Sequence, residues 1–181
     1  MSAKPMLASA DASVLLLIDV QERLAAAMPP PALEMLIRNG RLLLAAAARL
    51  GVPVLVTEQY PKGLGRTVPE LAEAVPAGAA RAEKTCFSAA GMEAGGRRQA
   101  ILAGMESHVC VLQSALEFSA AGREVFVVED ACCSRTPENH ANAMRRMRAA
   151  GVVVTNTESV LFEWLRDARH EHFKAISALL R

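Results

Sequence analysis

Six alternations of strand-like and helix-like patterning predict an α/β fold of three layers, a six-stranded parallel sheet with helices on both faces in the Rossmann-like manner. Three observations carry this. Short unbroken apolar runs, such as Ser13 to Asp19 (SVLLLID), have the composition of strands buried on both faces. Between the runs lie stretches with apolar residues at helical spacing, clearest from Ala32 to Leu50. Glycines stand where those helices should stop, at Gly51, Gly122 and Gly151. A length of 181 residues suits one domain with a full core and is short for two. Residues 1–181 are therefore expected to form a single domain, with 1–12 flexible.

In chain order, SVLLLID is the first strand and places Asp19 at its carboxyl end. Val20-Gln21-Glu22 leads into a loop, and Pro29, Pro30 and Pro31 mark the start of the first crossover helix, 32–50. Val52 to Val56 is the second strand, followed by a polar loop from Thr57 to Gly65 (TEQYPKGLG). Val68 to Val75 suits a short helix with Thr67 as its cap. The third strand, Ala80 to Thr85 (ARAEKT), is polar and short, and it delivers Lys84. Arg97 to Gly104 is the fourth, Cys110 to Ala121 the helix after it. Glu124 to Glu129 is the fifth, followed by Asp130 and a loop (ACCSRT). Pro137 to Ala150 is the next helix and Val152 to Val154 the sixth strand. Thr157 to Arg166 and His170 to Leu180 are further helical patterns. The stripe Phe173, Ile176, Leu179 and Leu180 within 168–181 suits either an oligomer contact or packing back on the same subunit.

Composition narrows the function. With 20 basic against 19 acidic residues the net charge is +1, which provides no electrostatic case for a nucleic acid or an anionic membrane surface as partner. Residues 1–13 lack the apolar core of a signal peptide, and no run approaches a membrane span. The expected setting is the cytoplasm and the expected partner a small molecule. Cys86, Cys110, Cys132 and Cys133 do not form C-x-x-C pairs, so in a reducing compartment they are free thiols.

In a parallel sheet, ligands bind beyond the carboxyl ends of the strands. Asp19, Lys84 and the turn Gly104-Met-Glu-Ser-His-Val-Cys110 all fall at that edge. Each has a plain alternative. Asp19 suits a helix cap or a structural ion pair as well as chemistry. Lys84, one of four lysines among 20 basic residues, reads by itself as a surface charge. Beside a carboxylate and a thiol, its ammonium would keep the acid ionised, favour thiolate and position a substrate carbonyl. Cys110 suits core packing, but its place at a helix start favours thiolate, the nucleophilic form. Cys86, Cys132 and Cys133 lack that setting and read as structural. His108, two residues before Cys110, is a candidate for touching substrate, whereas His140, His170 and His172 read as solvated. Gln21, Gln59, Tyr60, Phe87 and Ser107 are candidate pocket walls by loop position.

The segments LLLIDVQ, EKTCFSA, GMESHVCVLQSALE and VVEDACCSR, in this order between Ser13 and Leu161, resemble the isochorismatase-like cysteine hydrolases. The resemblance implies an Asp19-Lys84-Cys110 triad and a cis peptide at Met105-Glu106, in a turn that aims backbone N–H groups, including that of Cys110, at an oxyanion. It implies a cofactor-independent hydrolase of a small amide-like C–N bond, working through a Cys110 thioester; the expectation of a homo-oligomer comes from the C-terminal stripe. Two departures limit the substrate. The related nicotinamidases carry a metal-binding Asp and His pair after the second strand, but Thr57 to Pro61 (TEQYP) contains no histidine, so no zinc is expected. The isochorismatases proper lack the nucleophilic cysteine. The chain looks most like the small single-domain subgroup of unassigned substrate. Thiol redox chemistry at Cys110, or a catalytically silent oligomer, are the competing readings.

Overall fold

The computed structural model describes residues 6–92 and 96–180. Its strands are β1 (Ser13–Ile18), β2 (Val54–Gln59), β3 (Ala80–Lys84), β4 (Gln99–Met105), β5 (Glu124–Cys133) and β6 (Val153–Thr155). They form one parallel sheet in the order β3-β2-β1-β4-β5-β6. The helices are α1 (Glu22–Ala25), α2 (Pro30–Leu50), α3 (Pro61–Leu64), α4 (Pro69–Ala72), α5 (Leu112–Ala120), α6 (Pro137–Ala149), α7 (Thr157–Leu165) and α8 (Phe173–Ala178). A π-helical turn, Ser107–Val111, leads directly into α5. The predicted three-layer α/β class is what forms.

The continuous apolar runs arise because both faces of the sheet are covered and side chains alternate along each strand. Leu15, Leu17, Ile101, Ala103, Phe126 and Val128 pack towards α2 and α7. Val14, Leu16, Ala100, Leu102, Val125 and Val127 pack towards α5 and α6. Local signals set the helix ends. Pro30 opens α2, and Gly51 closes it with a left-handed φ of 65°. The Thr136 hydroxyl accepts from the Asn139 N–H at the start of α6.

Several boundaries move for identifiable reasons. β2 runs to Gln59 instead of ending at Val56, because β3 pairs with it through Gln59, while β1 pairs as far as Thr57 and the Gln21 side chain takes the Gln59 N–H. β5 continues through Cys133, into the expected ACCSRT loop, because a register shift between Leu102 and Gly104 pairs Gly104 and Met105 with Cys132 and Cys133. Thr67 does not cap α4. Its N–H and hydroxyl both bond to Glu58, and Val68 takes the cap position.

The chain near the N-terminus is not loose as far as it is described. Ala8 is fully buried, its N–H donates to Glu163 at 2.6 Å, and the Ser9 N–H donates to Gln99 at 2.7 Å. Residues 1–5 lie outside the described residues. The C-terminal stripe packs at home, with Ile176 fully buried and Phe173 and Leu180 against the α2–α7 core.

β1 and β4 are adjacent, yet the chain leaves them in opposite directions across the sheet, which opens a crevice at their carboxyl ends. Gly104 is critical to that junction. Its φ is 133°, and a Cβ there would fall on the Ile18 carbonyl of β1. Gly104→Ala is expected to lower stability by about 3 kcal/mol or more, from backbone strain plus the displaced strand. Urea unfolding measures this, and a loss below about 1 kcal/mol, the scale of a tolerated surface change, would contradict it.

Candidate active site

Asp19 follows β1 with a left-handed φ of 51°, a region that aspartate enters more readily than most residues. Its carboxylate is fully buried, so each oxygen needs a partner. Thr57, on neighbouring β2, donates its hydroxyl to Oδ1 at 2.7 Å, and Lys84 Nζ donates to Oδ2 at 2.5 Å. Lys84 reaches this point from the end of β3, two strands away, with its side chain completely enclosed. Its other two ammonium protons go to the backbone carbonyls of Cys86 at 3.2 Å and Phe87 at 2.7 Å. All three donors of the ammonium are thereby committed. The expectation that Lys84 also positions a substrate carbonyl is corrected: it neutralises Asp19 and pins the 84–87 loop.

Cys110 lies within the π-helical turn, 3% exposed, rather than at a helix start. The turn is closed by bonds from the Val109 and Val111 N–H groups to the Glu106 carbonyl, at 3.1 and 3.3 Å. The peptide Met105-Glu106 that precedes it is cis, as the resemblance implies. The Cys110 thiol donates to Gln59 Oε1 at 3.5 Å. Gln59 is aimed there by its own Nε2, which donates to the Thr85 carbonyl at 3.3 Å. Burial, and then the negative charge of Asp19, push the thiol up to about 12; the Lys84 charge and the Glu106 backbone amide pull it down and are outweighed. The expectation of a favoured thiolate is therefore corrected. The resting group is a thiol, and a base must take its proton.

Two consequences are measurable. Iodoacetamide is expected to label Cys110 more slowly than exposed Cys86 near neutral pH, with the Cys110 rate climbing as pH rises towards about 12. Equal rates near neutrality would contradict the burial argument. The unfolded thiol titrates near 9.0 while the folded one holds its proton, so this group's contribution to stability is intact below pH 9.0 and declines between 9.0 and about 12.

Three consecutive residues of the turn that leads to Cys110 are held by the segment after β5. The buried Glu106 carboxylate accepts from the Arg135 backbone N–H at 3.0 Å, from its Nε at 3.2 and 3.0 Å, and from its Nη2 at 2.5 Å. The Ser107 hydroxyl and His140 Nδ1 are 2.9 Å apart, and His108 Nδ1 and the Ser134 hydroxyl 3.0 Å apart. Burial opposes ionisation of Glu106, but the Arg135 bonds outweigh it and its carboxyl is held below the usual range. His140 is half-buried instead of solvated, and burial lowers its pKa against the pull of Glu129.

Of the expected pocket walls, Gln59 bonds the Cys110 thiol, Tyr60 lines a concavity beside Lys84, Phe87 is exposed and meets Lys84 through its carbonyl, and the other two are tied elsewhere. Gln21 is fully buried and clamps the loop from β2, donating Nε2 to the carbonyls of Gln59 and Gly65 and accepting from the Gln59 N–H. Ser107 is fully buried against His140. A concavity of about 510 Å³ beside the end of β3 is lined by Tyr60, Pro61, Lys62, Lys84, Thr85, Cys86 and neighbours. Cys86 is exposed, which corrects its structural reading, whereas Cys132 and Cys133 are buried as expected. The sequence reading left Thr57, Ser134, Arg135 and His140 without roles. Arg135 sits inside the VVEDACCSR segment, and Thr57 opens TEQYP, so the residues were in view and their partners were not. Among the described residues no three His, Cys, Asp or Glu side chains gather as a metal site would require, and no helix is long and apolar enough to cross a membrane.

The arrangement has relatives. YcaC from Pseudomonas aeruginosa, solved with hexane-2,5-diol and covalent acrylamide, superposes with a TM-score of 0.85 at 31% identity, covering 98% of this chain and 93% of that one. YcaC from Escherichia coli, described as an octameric hydrolase of unknown specificity, gives 0.87 at 27% identity, covering 98% and 91%. MAR1 ribonuclease from Caenorhabditis elegans gives 0.91 at 33% identity, covering 97% and 92%. The mouse Isochorismatase domain-containing protein 2A is 38% identical over 177 residues, spanning 94% of this chain and 84% of its own length. The Isochorismatase domain family profile matches residues 13–159, from the first residue of β1 into α7, and with that span covered the chain belongs to the isochorismatase domain family.

Proposed function

We propose that the protein is a cysteine hydrolase that cleaves a small amide-like C–N bond through a Cys110 thioester, with Asp19 as the proton carrier. The observation that carries this reading is a buried thiol, a buried Asp19–Lys84 pair and the Glu106 backbone amide brought to one point from three separate strand ends. The thiol proton turns from Gln59 to the Asp19 carboxylate as sulfur attacks the carbonyl carbon. The carbonyl π electrons move to oxygen, and backbone N–H groups of the 105–110 turn donate hydrogen bonds to the oxyanion that forms. Collapse breaks the C–N bond, and Asp19 returns the proton to the leaving nitrogen. Water then gives a proton to Asp19 while its oxygen attacks the thioester. The C–S bond breaks, and Asp19 reprotonates the sulfur. Lys84 remains an ammonium throughout and balances charge at Asp19.

Covalent acrylamide in the Pseudomonas YcaC supports an electrophile-accepting site of this kind, and the octameric E. coli YcaC supports a homo-oligomer. The partner proposed is a small molecule, in the cytoplasm, with no cofactor required. Incubation with an amide library followed by mass spectrometry tests the reading: a transient acyl adduct on Cys110, absent in Lys84→Ala, is expected. A Cys110 disulfide that tracks activity would favour the thiol redox reading. Cleavage of RNA instead of amides would favour the activity in the name of the nematode neighbour, against which the near-neutral net charge of +1 argues.

A further inference from the structure

We propose that Arg135, assisted by Ser134 and His140, is a positioning residue that holds the 105–110 turn in register with the attacking sulfur. The inference rests on the hydrolase reading above for its catalytic meaning, but its structural part stands by itself. Glu106, Ser107 and His108 are consecutive, and each is tied by its side chain to a different residue of the segment 134–140. These ties run just beyond the ends of two adjacent strands, β4 and β5, past the register shift between Leu102 and Gly104. The ladder ends at the Met105–Cys133 pair, and side-chain bonds take over the alignment.

Arg135 dominates the arrangement. Its backbone N–H and two guanidinium nitrogens all bond one carboxylate, a forked geometry that resists both rotation and sliding. Glu106 is 4% exposed while the Arg135 side chain is 56% exposed, so the arginine reaches in from solvent to a carboxylate that cannot leave. The Glu106 backbone amide faces the Cys110 sulfur, and its carbonyl closes the π-helical turn that carries Cys110. A displacement at Glu106 therefore moves an oxyanion donor and the nucleophile together. Misplacing reacting groups by about 1 Å costs on the order of 100-fold in rate.

The test uses Arg135→Gln, Arg135→Lys and Glu106→Gln in the full chain, with two readouts. The first is backbone hydrogen exchange. Exchange across 106–111 is expected to accelerate by about tenfold in Arg135→Gln, with Arg135→Lys recovering part of the protection and the core of β4 unchanged. The second compares two reactions of Cys110: acylation by p-nitrophenyl acetate, which needs the oxyanion donors, and alkylation by iodoacetamide, which does not. Acylation should fall by about 100-fold in Arg135→Gln while alkylation stays within about threefold. Glu106→Gln combined with Arg135→Gln should be no slower than the worse single variant, because the pair acts as one unit. Unchanged exchange across the turn would overturn the inference, as would equal losses in acylation and alkylation. A wild-type protein that is alkylated but never acylated would instead count against the hydrolase reading, and the exchange result would still decide the role of Arg135. Arg135→Gln leaves the buried Glu106 carboxylate without its cation, so Arg135→Lys, which keeps the charge, carries the test should Arg135→Gln prove too unstable.

Discussion

Cys110→Ala is expected to reduce turnover by about 10⁴- to 10⁶-fold, the range seen when a nucleophile is removed from a unit whose members act together. The residual rate would come from backbone donors and substrate binding, which the substitution leaves in place. Stability should change little by comparison. Cys110 is small and 3% exposed, and alanine leaves a void of about one sulfur atom beside Gln59, at a cost on the order of 1 kcal/mol. The signature is therefore a dead enzyme with a nearly unchanged melting temperature. Turnover of any hydrolysed amide, measured beside thermal unfolding, checks both halves. A variant that retains more than a tenth of its activity would remove the thioester from the mechanism.

Lys84→Met should behave in the opposite way, failing in stability as well as in rate. Methionine retains most of the volume and removes the charge, so Asp19 is left fully buried with the Thr57 hydroxyl and the Cys110 thiol as uncharged partners. Breaking a buried ion pair from one side costs about 3–5 kcal/mol, because the other charge is stranded. For a chain of this size that is a fall in melting temperature of roughly 6–20 °C. The carbonyls of Cys86 and Phe87 lose their donor at the same time, which loosens the 84–87 loop at the mouth of the site. Asp19→Asn separates the electrical from the structural role. It removes the charge that helps hold the Cys110 thiol up, while Lys84 still pulls it down. The iodoacetamide rate profile of Cys110 should then move to lower pH even as turnover is lost. A profile that stays where it was would show that Asp19 does not act on the sulfur. Circular dichroism melting and the same alkylation assay read both variants.

How much of this was legible beforehand depends on the range of the interaction concerned. SVLLLI reads as a doubly covered strand because the five residues after Ser13 are all apolar, and the stop at Gly51 reads from a single glycine; both are local facts. The same holds for the order of elements that brings Asp19, Lys84 and Cys110 to one edge. Boundaries slipped where a neighbour overrode local preference. Thr57–Gln59 became strand because β3 pairs with all three residues, and Ala131–Cys133 because β4 shifts register beside them.

The chain alone determined the fold class, the family resemblance and the three residues of the proposed triad, since those follow from patterning along the sequence. Only the tertiary structure decided their states and their support. Whether Cys110 rests as thiol or thiolate depends on desolvation against two opposed charges, and all three come from other segments. That Lys84 has no donor to spare, that Gln21 is a clamp and not a pocket wall, and that Arg135 grips Glu106 are likewise contacts between distant residues. Local pattern records which groups are available; burial and long-range geometry decide which of them are already taken.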